Sequence, residues 1–479
     1  MKTLIKNGTI VTATDEFQAD ILVDGEKISA IGLNLSENVD RVINAAGKYV
    51  MPGGVDSHCH FEALNTDGVT YNGDFNTSYV CLLGGTTTIV DMAFNEHDED
   101  GNFLNLVDSC NYRLNTRIKG KLAPDIALHA CCTNYTEETK SELPKLVEMG
   151  IPSLKLFLCF KGTEMYADDM ALLNCLEAAG KCGMFVLVHA ENSDVLDKYR
   201  NEAAAAGHFE PKYQYYTRPE FGEAECVSRA IRFADQARCP INICHVSCIE
   251  AGEEIRRAKE EGKAVIGEAC TAWLTLDWHL MDNPDWRVAS HFVCSPPLRD
   301  QEDRDYLWNA LNKGTISLIG SDNSMTNQEQ KDTGWDEENK RCDFRKIPNG
   351  CPGAGDRMHV IWTYGVEEGR INRQKYVEAC CTTPAKLNGL YPRKGAIAVG
   401  SDADIAILDP EYRGTFSVET NPSGVEYSIF EGMEQKGRFE TVLLRGKVVV
   451  ENAKYVGTPG EGQFIPGKPY GLAYDLLGK

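Results

Sequence analysis

Long apolar runs are missing from this 479-residue chain. No stretch approaches the roughly 18 uninterrupted apolar residues of a membrane span, so no transmembrane segment is expected. The opening residues, MKTLIKNGTIVTATDEF, hold no continuous apolar segment and no small-residue cleavage site. They do not read as a secretory signal, and the expected location is the cytoplasm. Basic runs are missing too: Lys plus Arg is 49 against 71 for Asp plus Glu, a formal charge of −22. That balance argues against nucleic acid and anionic membranes as partners. The 18 cysteines contain no C-x-x-C pair, which disfavours thiolate zinc knuckles and thioredoxin-type centres. Outside a secretory route they read as reduced, small buried hydrophobes. No internal repeat and no low-complexity segment occurs.

What is present is alternation. Residues 1–50 carry strand-like runs (TLIKNGTIV, DILVDGEKISAIG, KYVMPGG) bounded by Asn-Gly and Asp-Gly, dipeptides that favour tight hairpins. From residue 54, eight short apolar runs recur: Gly54 to His58, GGTTTIVDMA, DIALHACC, PSLKLFL, MFVLVHA, PINICHVS, KAVIGEAC and TISLIGSD. Helix-length segments separate them, and ADDMALLNCLEAAGKCG and SCIEAGEEIRRAKEEG end on a glycine suited to a helix C-terminus. Strands alternating with helices predict a parallel sheet, and eight units over about 270 residues fit a closed (β/α)8 barrel. A polar loop is expected from Asn323 to Asn349, then helices to about residue 391. β character returns in KGAIAVGSDADIAILDP and RFETVLLRGKVVVENAKYV. The expected α/β architecture is a barrel over 53–391 beside a small β-sandwich made from 1–52 and 392–479. The tail from Gly460 is expected to reach a neighbouring subunit or to fray.

Candidate ligands fall at the ends of these runs. His58 and His60 stand two apart, the spacing that puts both side chains on one face of a strand. Lys155 lies in PSLKLFL, His189 ends MFVLVHA, His245 ends PINICHVS and Asp322 ends TISLIGSD. The C-terminal mouth is where barrel enzymes place their chemistry. Burying these groups singly would cost several kcal/mol each unless they were paired or metal-bound. His129 also sits at a strand end and is read as core or as a support for the site. A protonated Lys155 would repel two dications. As a carbamate, formed by adding CO2, it becomes an anion able to bridge them. Four imidazoles, the carbamate and Asp322 suit two divalent ions: zinc, with manganese, cobalt or iron as alternatives.

The motifs GGVDSHCHF, GGTTTIVDM, SLKLFL, VHAEN, CHVS, CSPPLRD, IPNG and VGSDADIAILDP stand in that order. The chain thereby resembles the dihydropyrimidinases and hydantoinases, the cyclic amidohydrolases, from about Lys6 to about Lys468. The resemblance implies that His58 and His60 bind the first metal and His189 and His245 the second. It implies that Lys155 is the carboxylated bridge and that Asp322 is both ligand and general base. It further implies that Ser295 and Asn349 hold the amide edge of the ring, and that the protein is a homotetramer. Three positions depart from the pattern. Phe160 stands where the family has a tyrosine whose hydroxyl meets a substrate oxygen. Asn323 stands where a histidine follows the aspartate. Glu268-Ala269-Cys270-Thr271-Ala272-Trp273 replaces E-T-C-P-x-Y.

The expected activity is opening of a hydantoin or dihydropyrimidine ring to an N-carbamoyl amino acid. The alternatives are an allantoinase-like ureide hydrolase, which Phe160 favours, and a non-catalytic scaffold. Loops from Glu62 to Gly73, Phe94 to Gly101 and Phe157 to Tyr166 are expected over the mouth, with Leu64, Phe94, Phe157 and Phe160 against a ring substituent.

Overall fold

The computed structural model describes residues 1–64, 71–98 and 100–469. Its larger sheet has eight parallel strands: Gly54–Cys59, Thr86–Phe94, Asp125–Cys131, Ser153–Phe157, Phe185–His189, Ile241–Ile243, Val265–Cys270 and Leu318–Gly320. Each lies beside the next in chain order. Every residue in them is buried. That explains why they read as continuous apolar runs and not as alternating ones: a parallel sheet is covered on both faces. The eighth strand returns to the first. His60 N donates to Asn323 O at 2.8 Å and Ser321 N to Asp56 Oδ1 at 3.0 Å, and Cys59 bridges Asn323. The sheet is therefore a (β/α)8 barrel.

The helix Asp169–Cys182 shows how the outer layer forms. Ala171, Leu172, Cys175, Leu176 and Ala179 recur every three or four residues and are buried. The Asp168 carboxylate caps its start by accepting from Ala171 N at 2.8 Å, an interaction worth about 1 kcal/mol. Gly183 at φ +88° ends it, as the terminal glycine predicts. Among the described residues no helix is long and apolar enough to cross a membrane.

The second sheet joins the two ends of the chain. The N-terminal strands include Lys2–Val11, Glu16–Asp24, Lys27–Gly32 and Tyr49–Pro52. Tyr49–Pro52 pairs antiparallel with Ile405–Thr415, which continues to Glu434–Leu444 and Lys447–Glu451. Ile5, Ile10, Ile21, Val50, Ile405, Ile407 and Leu443 pack between them. Lys394, fully buried, ties this sheet to the barrel through Asp125 at 2.5 Å and Asp404 at 2.6 Å.

Three local expectations need correction. Asp24-Gly25 does form a hairpin, but Asn7-Gly8 lies inside the continuous strand Lys2–Val11, where the register shifts between Ile5 and Gly8. Asn7 at φ +64° makes a bulge there, because strand pairing on both sides outweighs the turn preference of the dipeptide. The segment 323–349 is not a plain loop. It holds the helix Gln328–Lys331, with an Asn327/Gln330 capping box, and a small hairpin of Trp335–Asp336 and Arg341–Cys342. Finally, the tail neither frays from Gly460 nor leaves the chain there. Ile126 N donates to Gln463 O, Ile465 N to Ile126 O and Gly467 N to Gly150 O, and Ile465 is buried. Residues 470–479 lie outside the described residues.

Candidate metal centre

The barrel brings His58, His60, Lys155, His189, His245 and Asp322 to one mouth. His58 lies one residue before the end of the fully buried first strand, Gly54–Cys59, and His60 just past it. Their Nε2 atoms stand 3.3 and 3.1 Å from one Asp322 oxygen. The His58 ring lies 5.1 Å from that of His60 and 5.4 Å from that of His245, and the rings of His189 and His245 are 4.4 Å apart. His245 and Asp322 fall two residues past their strands and both adopt positive φ, +34° and +52°. For non-glycine residues this is an uncommon, strained conformation that clusters at functional sites.

Carboxylates behind the imidazoles set which nitrogen faces the centre. His58 Nδ1 donates to Glu268 Oε1 at 2.5 Å, which leaves Nε2 buried without a hydrogen bond and turned toward Asp322. His189 Nε2 donates to Glu191 Oε2 at 2.6 Å, which leaves Nδ1 as the free ring nitrogen. His245 Nδ1 is a further buried nitrogen without a partner. Burial holds His60 down at about 4 and lowers His189 and His245, so these imidazoles are neutral, the form that binds metal. Burial would raise Asp322, but His58, His60 and His245 outweigh it and keep the carboxylate ionised. Burial also raises Glu191, yet Arg218 and His189 bring it down to about 2.

Lys155 is fully buried, with its Nζ 3.2 Å from Cys244 Sγ and 4.9 Å from the centre of the Phe157 ring. Among the described residues no carboxylate stands within ion-pairing reach of it, so it is not a salt-bridged lysine. Orphaned nitrogens on His58 and His245, neutral rings at His60, His189 and His245, and a buried amine with no carboxylate partner among the described residues fit a pair of divalent ions. His58, His60 and Asp322 also offer ligand atoms within 4.8 Å of one another.

The rest of the cavity is apolar on one side and polar on the other. Phe94 and Phe157 stack at 6.1 Å, and Phe160 lies 6.0 Å from Phe157 and 5.6 Å from His189. Phe160 holds φ +66°, unusual for a bulky residue, with its carbonyl accepting from Thr163 Oγ1 at 2.7 Å. On the polar side Ser295 Oγ donates to Asn349 Oδ1 at 2.8 Å. Gln214, buried, donates to that same Asn349 oxygen at 2.7 Å and to Cys294 O at 2.8 Å. Lys331 clamps the same region through Pro348 O at 2.8 Å and Gly350 O at 2.9 Å. The Leu64 side chain and residues 65–70 of its loop lie outside the described residues. His129 is a core residue bonded to Ser153 Oγ and Ser57 O.

Sequence reasoning passed over the supports: Glu268, Glu191, Arg218, Gln214 and Lys331. One signal was available, since His189-x-Glu191 repeats the same-face spacing of His58-x-His60. Asn323 also gains an explanation. Its Oδ1 accepts from Gly353 N and Ala354 N at 3.0 and 3.2 Å, so it fastens a turn and faces away from the chemistry.

Known proteins match this arrangement over nearly the whole chain. The amidohydrolase family model matches residues 49–449. A D-hydantoinase of Geobacillus stearothermophilus is 40% identical over 474 residues, 98% of each chain. A dihydropyrimidinase of Rattus norvegicus is 36% identical over 474 residues, 98% of this chain and 89% of the relative. The crystal structure of the Brevibacillus agri dihydropyrimidinase superposes with a TM-score of 0.92 at 39% identity, covering 98% of this chain and 99% of the other. On the barrel, its mouth and these matches together, the chain belongs to the amidohydrolase family, in the branch of the hydantoinases and dihydropyrimidinases.

Proposed function

We propose that the protein is a binuclear-metal hydrolase that opens a hydantoin or dihydropyrimidine ring to an N-carbamoyl amino acid. The observation that carries this is the gathering of four imidazoles, Asp322 and a buried lysine that has no carboxylate partner among the described residues, beside a phenylalanine wall. His58 and His60 would hold one ion and His189 and His245 the other, with Asp322 as a further ligand and Lys155, carboxylated on Nζ, as the bridge. Zinc suits this nitrogen and oxygen set, with manganese, cobalt or iron as alternatives. Such a pair supplies an activated hydroxide near neutral pH.

The chain's own residues do the rest. Asp322 takes the proton of the attacking water as the C–O bond forms at the ring amide carbon. It then delivers that proton to the ring nitrogen as the C–N bond breaks. General acid–base help of this kind is worth roughly 10²–10⁴-fold. Ser295 and Asn349 hold the amide edge, in an orientation set by Gln214. Phe157 and Phe160 pack on a ring substituent and exclude water.

We further propose a catalytic unit over 53–391, a β unit from 1–52 and 392–479, and a homotetramer. The free cysteines, all buried except Cys182, suit a reducing cytoplasm. The absence of a hydroxyl on Phe160 favours a second reading, an allantoinase-like ureide hydrolase. Metal-replete protein assayed with hydantoin, dihydrouracil, phenylhydantoin and allantoin separates the two. Turnover of one of the first three is expected, and turnover of allantoin alone selects the second reading. Protein that purifies without metal and turns over none of them is a scaffold.

A further inference from the structure

Phe160 brings no hydroxyl to the mouth, so a ring oxygen there must find its donor elsewhere. Most polar side chains around the cavity are already engaged. His60, His189, His245, Lys155 and Asp322 form the proposed metal centre, and the Ser295 hydroxyl is given to Asn349 Oδ1 at 2.8 Å. Ser324 is different. It lines the same cavity, and its Oγ accepts from Asn72 Nδ2. Asn72 is itself fixed, because its Oδ1 accepts from Ala63 N at 3.0 Å. Asn72 therefore occupies a lone pair of Ser324 and leaves its proton unspent. Among the described residues no acceptor takes the Ser324 hydroxyl proton.

The backbone brings this hydroxyl to the cavity that Asp322 also lines. Asn323 is fully buried and turned back onto Gly353 and Ala354, so its neighbours Asp322 and Ser324 both reach the cavity. Gly350 makes the space. It holds φ +122°, and a Cβ there would lie 2.3 Å from Ser324 Oγ. The hydroxyl thus rests against Gly350, next in sequence to Asn349 of the amide edge and on the same segment as the general base.

We propose that Ser324 is a catalytic residue: its hydroxyl donates to a ring carbonyl oxygen lying between Asp322 and Asn349–Gly350, the task that position 160 leaves unfilled. This rests on the cyclic-amide reading above. The test compares wild type, Ser324→Ala and the double variant Ser324→Ala/Phe160→Tyr, all full-length and metal-replete, on dihydrouracil and hydantoin. Ser324→Ala is expected to lower kcat roughly 10²-fold, the scale of losing one oxyanion donor, with KM and metal content close to wild type. Adding Phe160→Tyr is expected to restore at least about tenfold by returning a hydroxyl donor at position 160 of the same cavity, which a purely structural defect at 324 would not allow. If the alanine variant loses stability, Ser324→Cys keeps the shape with a weaker donor, and the same fall in kcat is expected. Wild-type kcat in Ser324→Ala, or a fall that Phe160→Tyr leaves untouched, overturns the assignment. A wild type active on these rings with unaffected variants overturns the Ser324 role alone, whereas a wild type that opens neither ring overturns the cyclic-amide reading and this role together.

Discussion

Replacing Glu268 with glutamine probes the proposed metal centre without touching a ligand. Glu268 is fully buried and accepts a hydrogen bond from His58 Nδ1 at 2.5 Å. The same carboxylate accepts from Asn242 Nδ2 at 3.3 Å and His245 N at 3.4 Å. It therefore fixes the tautomer of one imidazole and the backbone of another. Glutamine keeps the shape but loses the charge that makes His58 a strong donor of its Nε2 lone pair. Loss of such a partner lowers metal affinity by about 10–100-fold, or about 1.4–2.8 kcal/mol. Glu191→Gln is the informative comparison. Glu191 supports His189 at 2.6 Å but also pairs with the buried Arg218. Removing its charge strands that guanidinium, at a cost of about 3–5 kcal/mol. Zinc titration of metal-stripped protein against a chromophoric chelator, with thermal melts, separates the two. Glu268→Gln should weaken zinc binding at a near-normal Tm, and Glu191→Gln should lose both affinity and stability. Zinc binding by Glu268→Gln at wild-type strength would refute the claim that this carboxylate sets the ligand face of His58. An unshifted Tm for metal-free Glu191→Gln would refute the charge argument.

Asp322→Ala should abolish turnover while leaving metal content mostly intact; normal activity with metal-analysed protein would remove Asp322 from the mechanism. Protein loaded with metal in labelled bicarbonate should show a carbamate carbon resonance that Lys155→Arg lacks, and a spectrum without it in the wild type would remove the bridge. Asp356 supplies a pH test away from the mouth. Burial raises its carboxyl from 3.8 to about 8, so the folded state keeps a proton that the unfolded state releases. Its contribution to stability is full at low pH and is lost as pH rises between those values. The Tm of the wild type should therefore fall relative to Asp356→Asn between about pH 5 and pH 8; parallel profiles would show that Asp356 titrates normally.

What the sequence determined by itself was local and periodic. The apolar runs became buried parallel strands, the spacing of His58 and His60 put both at one mouth, and Gly183 ended its helix, because these outcomes depend on dihedral preference and on a few neighbouring residues. The clustering of His189, His245, Lys155 and Asp322 was legible for a related reason: in a parallel barrel every strand ends on the same face. Tertiary structure alone decided the rest. Glu268 meets His58 across 210 residues of chain, Gln214 meets Asn349 across 135 and Lys331 reaches Pro348 and Gly350 through a fold within the polar segment. The bulge at Asn7-Gly8 and the docked tail answer to strand partners far away in sequence. No local pattern encodes such pairs, since each exists only once the closed barrel brings buried polar groups face to face and burial without a partner becomes costly.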